Sequence, residues 1–100
     1  MAIKGNLIPN RIVTIDGVEL TPEASQKVRN HSPDGFNWGY GGSGPAQLAL
    51  ALLLHFSDED TAQKLYQDFK WDVICNLSPN FEMGSDFVTN WIKIKNGGTT

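Results

Sequence analysis

The chain has 100 residues, with eight Lys and Arg against eleven Asp and Glu and a formal charge of −3 at pH 7. That balance argues against direct DNA binding, because a phosphate backbone demands a basic face. The length and a 40% hydrophobic content predict one domain spanning residues 1–100, with a modest core that a homo-oligomer would complete. A single cysteine, Cys75, rules out an intrachain disulfide and fits a reducing cytoplasm. The first residues, Met1-Ala2-Ile3-Lys4-Gly5-Asn6, hold no apolar run of the secretory kind. The longest apolar run is about 11 residues, too short to span a bilayer, so no membrane partner is expected.

In chain order, residues 3–8 predict a short first strand stopped by Pro9-Asn10. Arg11-Ile12-Val13-Thr14-Ile15 is β-branched and reads as a strand. Asp16-Gly17 is a two-residue hairpin turn, and Val18-Glu19-Leu20 returns. Thr21-Pro22-Glu23 is a helix start with proline just inside. The segment from there to Val28 is either a single helical turn or an extended stretch. Arg29-Asn30-His31-Ser32 is polar, and Pro33-Asp34-Gly35 is a turn.

The dominant stretch comes next. Gly35-Phe36-Asn37-Trp38-Gly39-Tyr40-Gly41-Gly42-Ser43-Gly44 places five glycines and three aromatics before Pro45. Pro45 suits the first turn of a helix, with Ser43 or Gly44 as its N-cap. From Ala46 to Phe56 every residue except Gln47 and His55 is apolar, which predicts a central buried helix. Its five leucines contribute on the order of 10 kcal/mol gross, most of it offset by chain entropy. Ser57 caps a second helix that opens with Asp58, Glu59 and Asp60, where carboxylates suit the helix dipole. Ala62, Leu65, Tyr66, Phe69 and Val73 form its apolar stripe, and it ends near Ile74 or Cys75. Phe81-Glu82-Met83 reads as extended. Ser85-Asp86 begins a last helix with Phe87, Val88, Trp91 and Ile92 on one face, ending before Asn96-Gly97-Gly98 and a frayed Thr99-Thr100 tail. The expected fold is α+β: an N-terminal hairpin or short meander packed on about three helices, the Leu/Ala-rich one innermost.

A glycine-rich bend feeding a helix amino end is a potential anion cradle, through free N–H groups and the positive end of the dipole. The alternative is a tight bend whose glycines serve packing alone. No Gly-Lys-Ser/Thr occurs after it, so the bend is not a Walker loop. The candidate ligand set is Arg29, His31, Trp38, Tyr40, Gly41, Gly42, Ser43 and Gln47. Arg29 and His31 would add charge. Trp38 and Tyr40 alternate in an extended run and would either stack on a planar ligand or fill core. Gln47 would line a pocket. Ser43 is not in a nucleophile elbow, since position 45 is Pro rather than Gly. Neither CxxC nor HExxH occurs, so no metal and no cofactor is expected, and no catalytic residue is assigned. His55, late in its helix, reads as a dipole partner.

The run from Asn30 to Leu53, Asn30-His31-Ser32-Pro33-Asp34-Gly35-Phe36-Asn37-Trp38-Gly39-Tyr40-Gly41-Gly42-Ser43-Gly44-Pro45-Ala46-Gln47-Leu48-Ala49-Leu50-Ala51-Leu52-Leu53, resembles the signature of a family of small domains of unknown function found in bacteria, archaea, phages and mobile elements. The resemblance takes in the Asp16-Gly17 turn and the Leu65-Tyr66-Gln67-Asp68-Phe69-Lys70 segment, so it covers most of residues 11–75. The last quarter departs from the pattern, with Phe81-Glu82-Met83 where a Trp-containing segment is expected. The resemblance implies no catalytic residue. It does imply an accessory role, such as interference with host defence by sequestering a nucleotide signal or blocking a protein. Two functions are therefore expected: a non-enzymatic binder of an anionic, nucleotide-like ligand, acting in the host cytoplasm if phage-encoded, or a module that binds a host defence protein.

Overall fold

The computed structural model describes residues 2–6 and 11–97. The elements run β1 (Ala2–Asn6), β2 (Ile12–Ile15), β3 (Val18–Glu19), α1 (Glu23–Val28), α2 (Ser43–Phe56), α3 (Glu59–Asp72), a 3₁₀ turn (Ile74–Asn76), β4 (Asn80–Gly84) and α4 (Ser85–Lys95). The fold is the expected α+β class, with antiparallel strands and four helices rather than about three. The segment after Thr21 is a genuine short helix, with Pro22 at its N-cap position. The expected extension of the first strand through Ile8, its Pro9-Asn10 stop and the tail from Gly98 lie outside the described residues.

The strands form one antiparallel sheet in the order β3-β2-β1-β4. Asp16 and Gly17 both take positive φ, 52° and 81°, the conformation a tight hairpin turn demands. The segment from Asn80 returns after three helices to pair along all of β1, so β1 is internal to the sheet. Register sorts the two faces. Ile3 lies opposite Ile15 and Met83, while Gly5 lies opposite Val13 and Phe81. Ile3, Val13, Ile15 and Phe81 are buried. The Phe81 ring lies where a Cβ on Gly5 would be, so the missing side chain makes room for it. On the other face Lys4 stands opposite Thr14 and Glu82, a pairing of opposite charges that suits a solvated surface.

Helix α2 is the innermost element: every residue from Gly44 to Leu53 is buried. Its start differs from the sequence reading. The N-cap is Gly42, Ser43 is the first helical residue, and no side chain caps the end. Ser57 does not cap α3 either. It closes α2, its hydroxyl donating to the Leu53 carbonyl, and Asp58 caps α3 by accepting from the Thr61 N–H at 2.7 Å. That bond holds the Asp58 carboxyl below its ordinary pKa. A two-residue link therefore folds α3 back against α2, bringing the end of α3 beside the start of α2. The predicted stripe on α3 is correct, with Ala62, Leu65, Tyr66, Phe69 and Val73 all buried. On α4, Val88 and Ile92 enter the core, Trp91 packs partly against it, and Phe87 stays half exposed. No helix among the described residues is long and apolar enough to cross a membrane.

Candidate functional site: a cationic cluster beside the start of α2

Gln47 organises the region. It is fully buried on the second turn of α2, and its carboxamide is used on both sides. Oε1 accepts from the backbone N–H groups of His31 at 2.7 Å and Ser32 at 3.0 Å. Nε2 donates to Ser25 Oγ at 2.9 Å and to the Arg29 carbonyl at 3.1 Å. One polar side chain in an apolar helix thus satisfies the backbone of the irregular segment after α1, which no strand or helix ladder satisfies. Gln47 therefore does not line a pocket. It is a staple that fixes residues 29–32 against α2.

Stapled there, that segment turns its side chains toward α3. His31 Nε2 lies 2.5 Å from the Tyr66 hydroxyl, with the rings tilted and their centroids 5.2 Å apart. Arg29 Nη2 donates to Gln63 Oε1 at 3.3 Å. One turn beyond Tyr66 on the same face is Lys70, only 8% exposed, with its ammonium 4.3 Å from the centroid of the Trp71 ring. Among the described residues the one ion pair found is Lys95–Asp72, so neither Lys70 nor Arg29 is matched by a carboxylate. Partial burial, and then the charges of Arg29 and Lys70, push the His31 imidazole below its ordinary pKa of 6.5. In an acidic protein these residues form a local concentration of uncompensated positive charge.

The glycine bend borders this cluster, and its glycines have packing reasons. A Cβ on Gly41 would overlap the outer carbons of the Trp71 ring, and one on Gly42 would overlap the Tyr40 ring. A Cβ on Gly44 would lie 2.7 Å from Asn37 Cβ. Two aromatic rings thus cover the backbone just ahead of α2. Tyr40 is 50% and Trp71 57% exposed, so both rings also face solvent. Trp38 does not join them. It is buried, its indole N–H donating to the Ser78 and Pro79 carbonyls at 3.0 and 3.1 Å, edge-on to Phe81. The expected shared face of Trp38 and Tyr40 is not formed, because the Gly39 N–H bonds the Ile74 carbonyl and the chain turns between the two rings.

Of the predicted residues, then, Arg29 and His31 gather with Tyr66 and Lys70, Gly41 and Gly42 lie under the Trp71 and Tyr40 rings, and Ser43 is the first residue of α2. Trp38 and Gln47 are internal. The sequence reading missed Tyr66, Lys70 and Trp71. One signal was available: Tyr66 and Lys70 are spaced i, i+4, so they share a helix face at the edge of the apolar stripe. A separate open cavity of about 300 Å³ lies between the β2–β3 hairpin and the end of α2, lined by Ile15, Asp16, Val18, Glu19, Leu20 and His55. Its walls are apolar and its two carboxylates repel anions, so it does not belong to the cationic cluster. No group of His, Cys, Asp and Glu suited to a metal ion occurs among the described residues.

Fold and site define a small α+β protein with a cluster of cationic and aromatic side chains beside an α-helical hairpin. The chain matches the family of unknown function DUF6166 over residues 4–94 and belongs to it. No curated protein and no solved structure matches the chain.

Proposed function

We propose that the protein is a non-enzymatic binder of an anionic, nucleotide-like small molecule. The anion lies against Arg29, His31 and Lys70, and a planar group lies against Tyr40 or Trp71 at the start of α2. The observation that carries this reading is Lys70. Its stem is buried on α3 while its ammonium meets no carboxylate among the described residues, and it sits beside a second cation and a histidine in a chain of charge −3. A ligand anion would supply the missing counter-charge. The exposed rings supply stacking area of the kind that recognises bases.

Isothermal titration with nucleoside mono- and triphosphates, cyclic dinucleotides, sulfate and inorganic phosphate tests the reading. Lys70→Met removes the charge and keeps the apolar stem. It should weaken binding at least tenfold while leaving the melting temperature unchanged or raised. No heat from any of these anions with the folded protein, or equal affinity in K70M, refutes the reading.

The exposed Tyr40 and Trp71 rings, over neighbouring glycines, favour a second reading: docking to a host defence protein in a phage or mobile-element setting. Aromatic side chains dominate interface energetics. Under that reading, Trp71→Ala abolishes capture of the partner while K70M does not.

A further inference from the structure

We propose that the cluster takes up a proton together with its anion, with His31 as the proton acceptor and Tyr66 as the group that switches from imidazole to ligand. The inference rests on the anion-binding reading above and adds to it a ligand class, doubly charged oxyanions, and a dependence on pH.

The geometry is that of a donor reversal. His31 Nε2 and the Tyr66 hydroxyl oxygen share one hydrogen bond. With the imidazole neutral and its other nitrogen carrying the proton, the tyrosine O–H donates to Nε2. Protonation from solvent puts a proton on Nε2. That nitrogen becomes the donor, the tyrosine oxygen accepts, and the tyrosine O–H is released to point elsewhere. The ring does not have to move, because His31 is tied to α2 through its own backbone N–H on the buried Gln47. Reorientation of one hydroxyl hydrogen suffices.

The charged and titratable groups around the imidazole favour coupling. From its own segment comes Arg29, from α3 come Tyr66 and Lys70, and α2 contributes the neutral Gln47 carboxamide. Both nearby full charges are positive, so the empty cluster disfavours the imidazolium. A bound dianion cancels both charges and removes their repulsion of the imidazolium. The imidazolium then becomes a third cation on the anion, and the released Tyr66 hydroxyl becomes a neutral donor to it. A monoanion leaves the local charge positive once Arg29 and Lys70 are counted, so it draws the proton less strongly. By linkage, an anion that raises the His31 pKa must bind more tightly as pH falls through that range.

Sulfate separates the protein's titration from the ligand's, because it stays a dianion throughout the neutral range. The experiment is titration calorimetry of the intact chain with sodium sulfate from pH 5.5 to 8, in paired buffers of different ionisation enthalpy, with constant ionic strength. Net proton uptake at pH 7 and affinity that rises as pH falls are expected. The gain is about tenfold for each unit by which sulfate lifts the His31 pKa. His31→Gln, which keeps a hydrogen-bonding amide but cannot be protonated, should bind weakly with no proton uptake. Tyr66→Phe should bind more weakly yet keep the uptake. Circular dichroism confirms that each variant folds, and the histidine NMR titration, shifted upward by sulfate in the unmodified chain, gives a readout independent of affinity. Sulfate binding with no proton uptake, or uptake that persists in H31Q, overturns this inference and leaves the anion-binding reading intact. Absence of binding by every anion at every pH overturns both.

Discussion

Gln47→Leu removes the carboxamide and keeps the approximate volume and full burial of the side chain. Four hydrogen bonds are lost. Ser25 Oγ retains its bond to the Pro22 carbonyl, and the Arg29 carbonyl lies nearer solvent, so these two adjust at small cost. The N–H groups of His31 and Ser32 lose their acceptor, and Ser32 is itself buried. Each orphaned donor costs about 1–3 kcal/mol. The leucine recovers about 1–2 kcal/mol through added apolar burial. At the centre of these ranges the net loss is about 2–3 kcal/mol, a large part of the stability expected for a domain this size. It corresponds to a fall in melting temperature of roughly 10–25 °C. Urea unfolding followed by circular dichroism measures the energy, and hydrogen exchange identifies its source, because the His31 and Ser32 amides should lose protection before those of α2. A melting temperature within about 2 °C of the parent, with Ser32 protection retained, would refute the staple assigned to Gln47. The same variant loosens residues 29–32, so it should also weaken any anion held by Arg29 and His31.

Glycines around the bend should differ by what covers them. Gly44→Ala drives a methyl into Asn37 and its backbone, at a net cost of about 1–2 kcal/mol after the gain in helix propensity. Gly42→Ala meets only the half-exposed Tyr40 ring, which can swing into solvent, so its cost stays within about 1 kcal/mol in thermal unfolding. Stability should also fall on mild acidification. The folded pKa of His31 lies below its ordinary value of 6.5, so the unfolded chain binds more protons between the two values. This contribution is complete above 6.5 and is lost as pH falls through the folded value, and unfolding midpoints of H31Q should be flatter across that window. At lower pH, Asp58 and Asp72 add the same sign. Asp58 is lowered by its bonds from Thr61, and Asp72 by its bonds from Lys95 and Trp91, so what each contributes is complete above 3.8 and is lost below it. Asp58→Ala should therefore lower the melting temperature at neutral pH, and Asp58→Asn, which can still cap α3, should restore most of it.

The cluster and the core are thus under different pressures. Lys70 pairs with no carboxylate among the described residues, and methionine keeps its buried stem, so K70M should not harm the fold. Gln47 and Trp38 act in the opposite sense: each satisfies backbone groups that no ladder reaches, and each is needed for the bend to hold its shape.

Local chemistry made much of the protein readable from its residues. The Asp16-Gly17 turn, the burial of Ala46–Leu53 and the apolar stripe on α3 arise from turn preferences and a 3.6-residue period, which neighbouring residues carry by themselves. The helix starts were misplaced by a residue or more because several small polar residues compete at each cap, and only backbone geometry decides between Ser43 and Gly42 or between Ser57 and Asp58. Tertiary structure alone decided the meeting of distant segments. The pairing of Asn80–Gly84 with β1 joins nearly the whole length of the chain. Trp38 and Tyr40, two residues apart, part company because Gly39 bonds the turn after α3. Gln47 has the sequence signature of a stray polar residue in a greasy helix, and its role exists only once residues 25–32 lie against it. Lys70 reads as a solvated end of α3 until the α2–α3 hairpin brings Arg29 and His31 to its side. Periodicity reports which face of an element is buried, whereas the charge and hydrogen-bond partners of that face come from whichever segment folds over it.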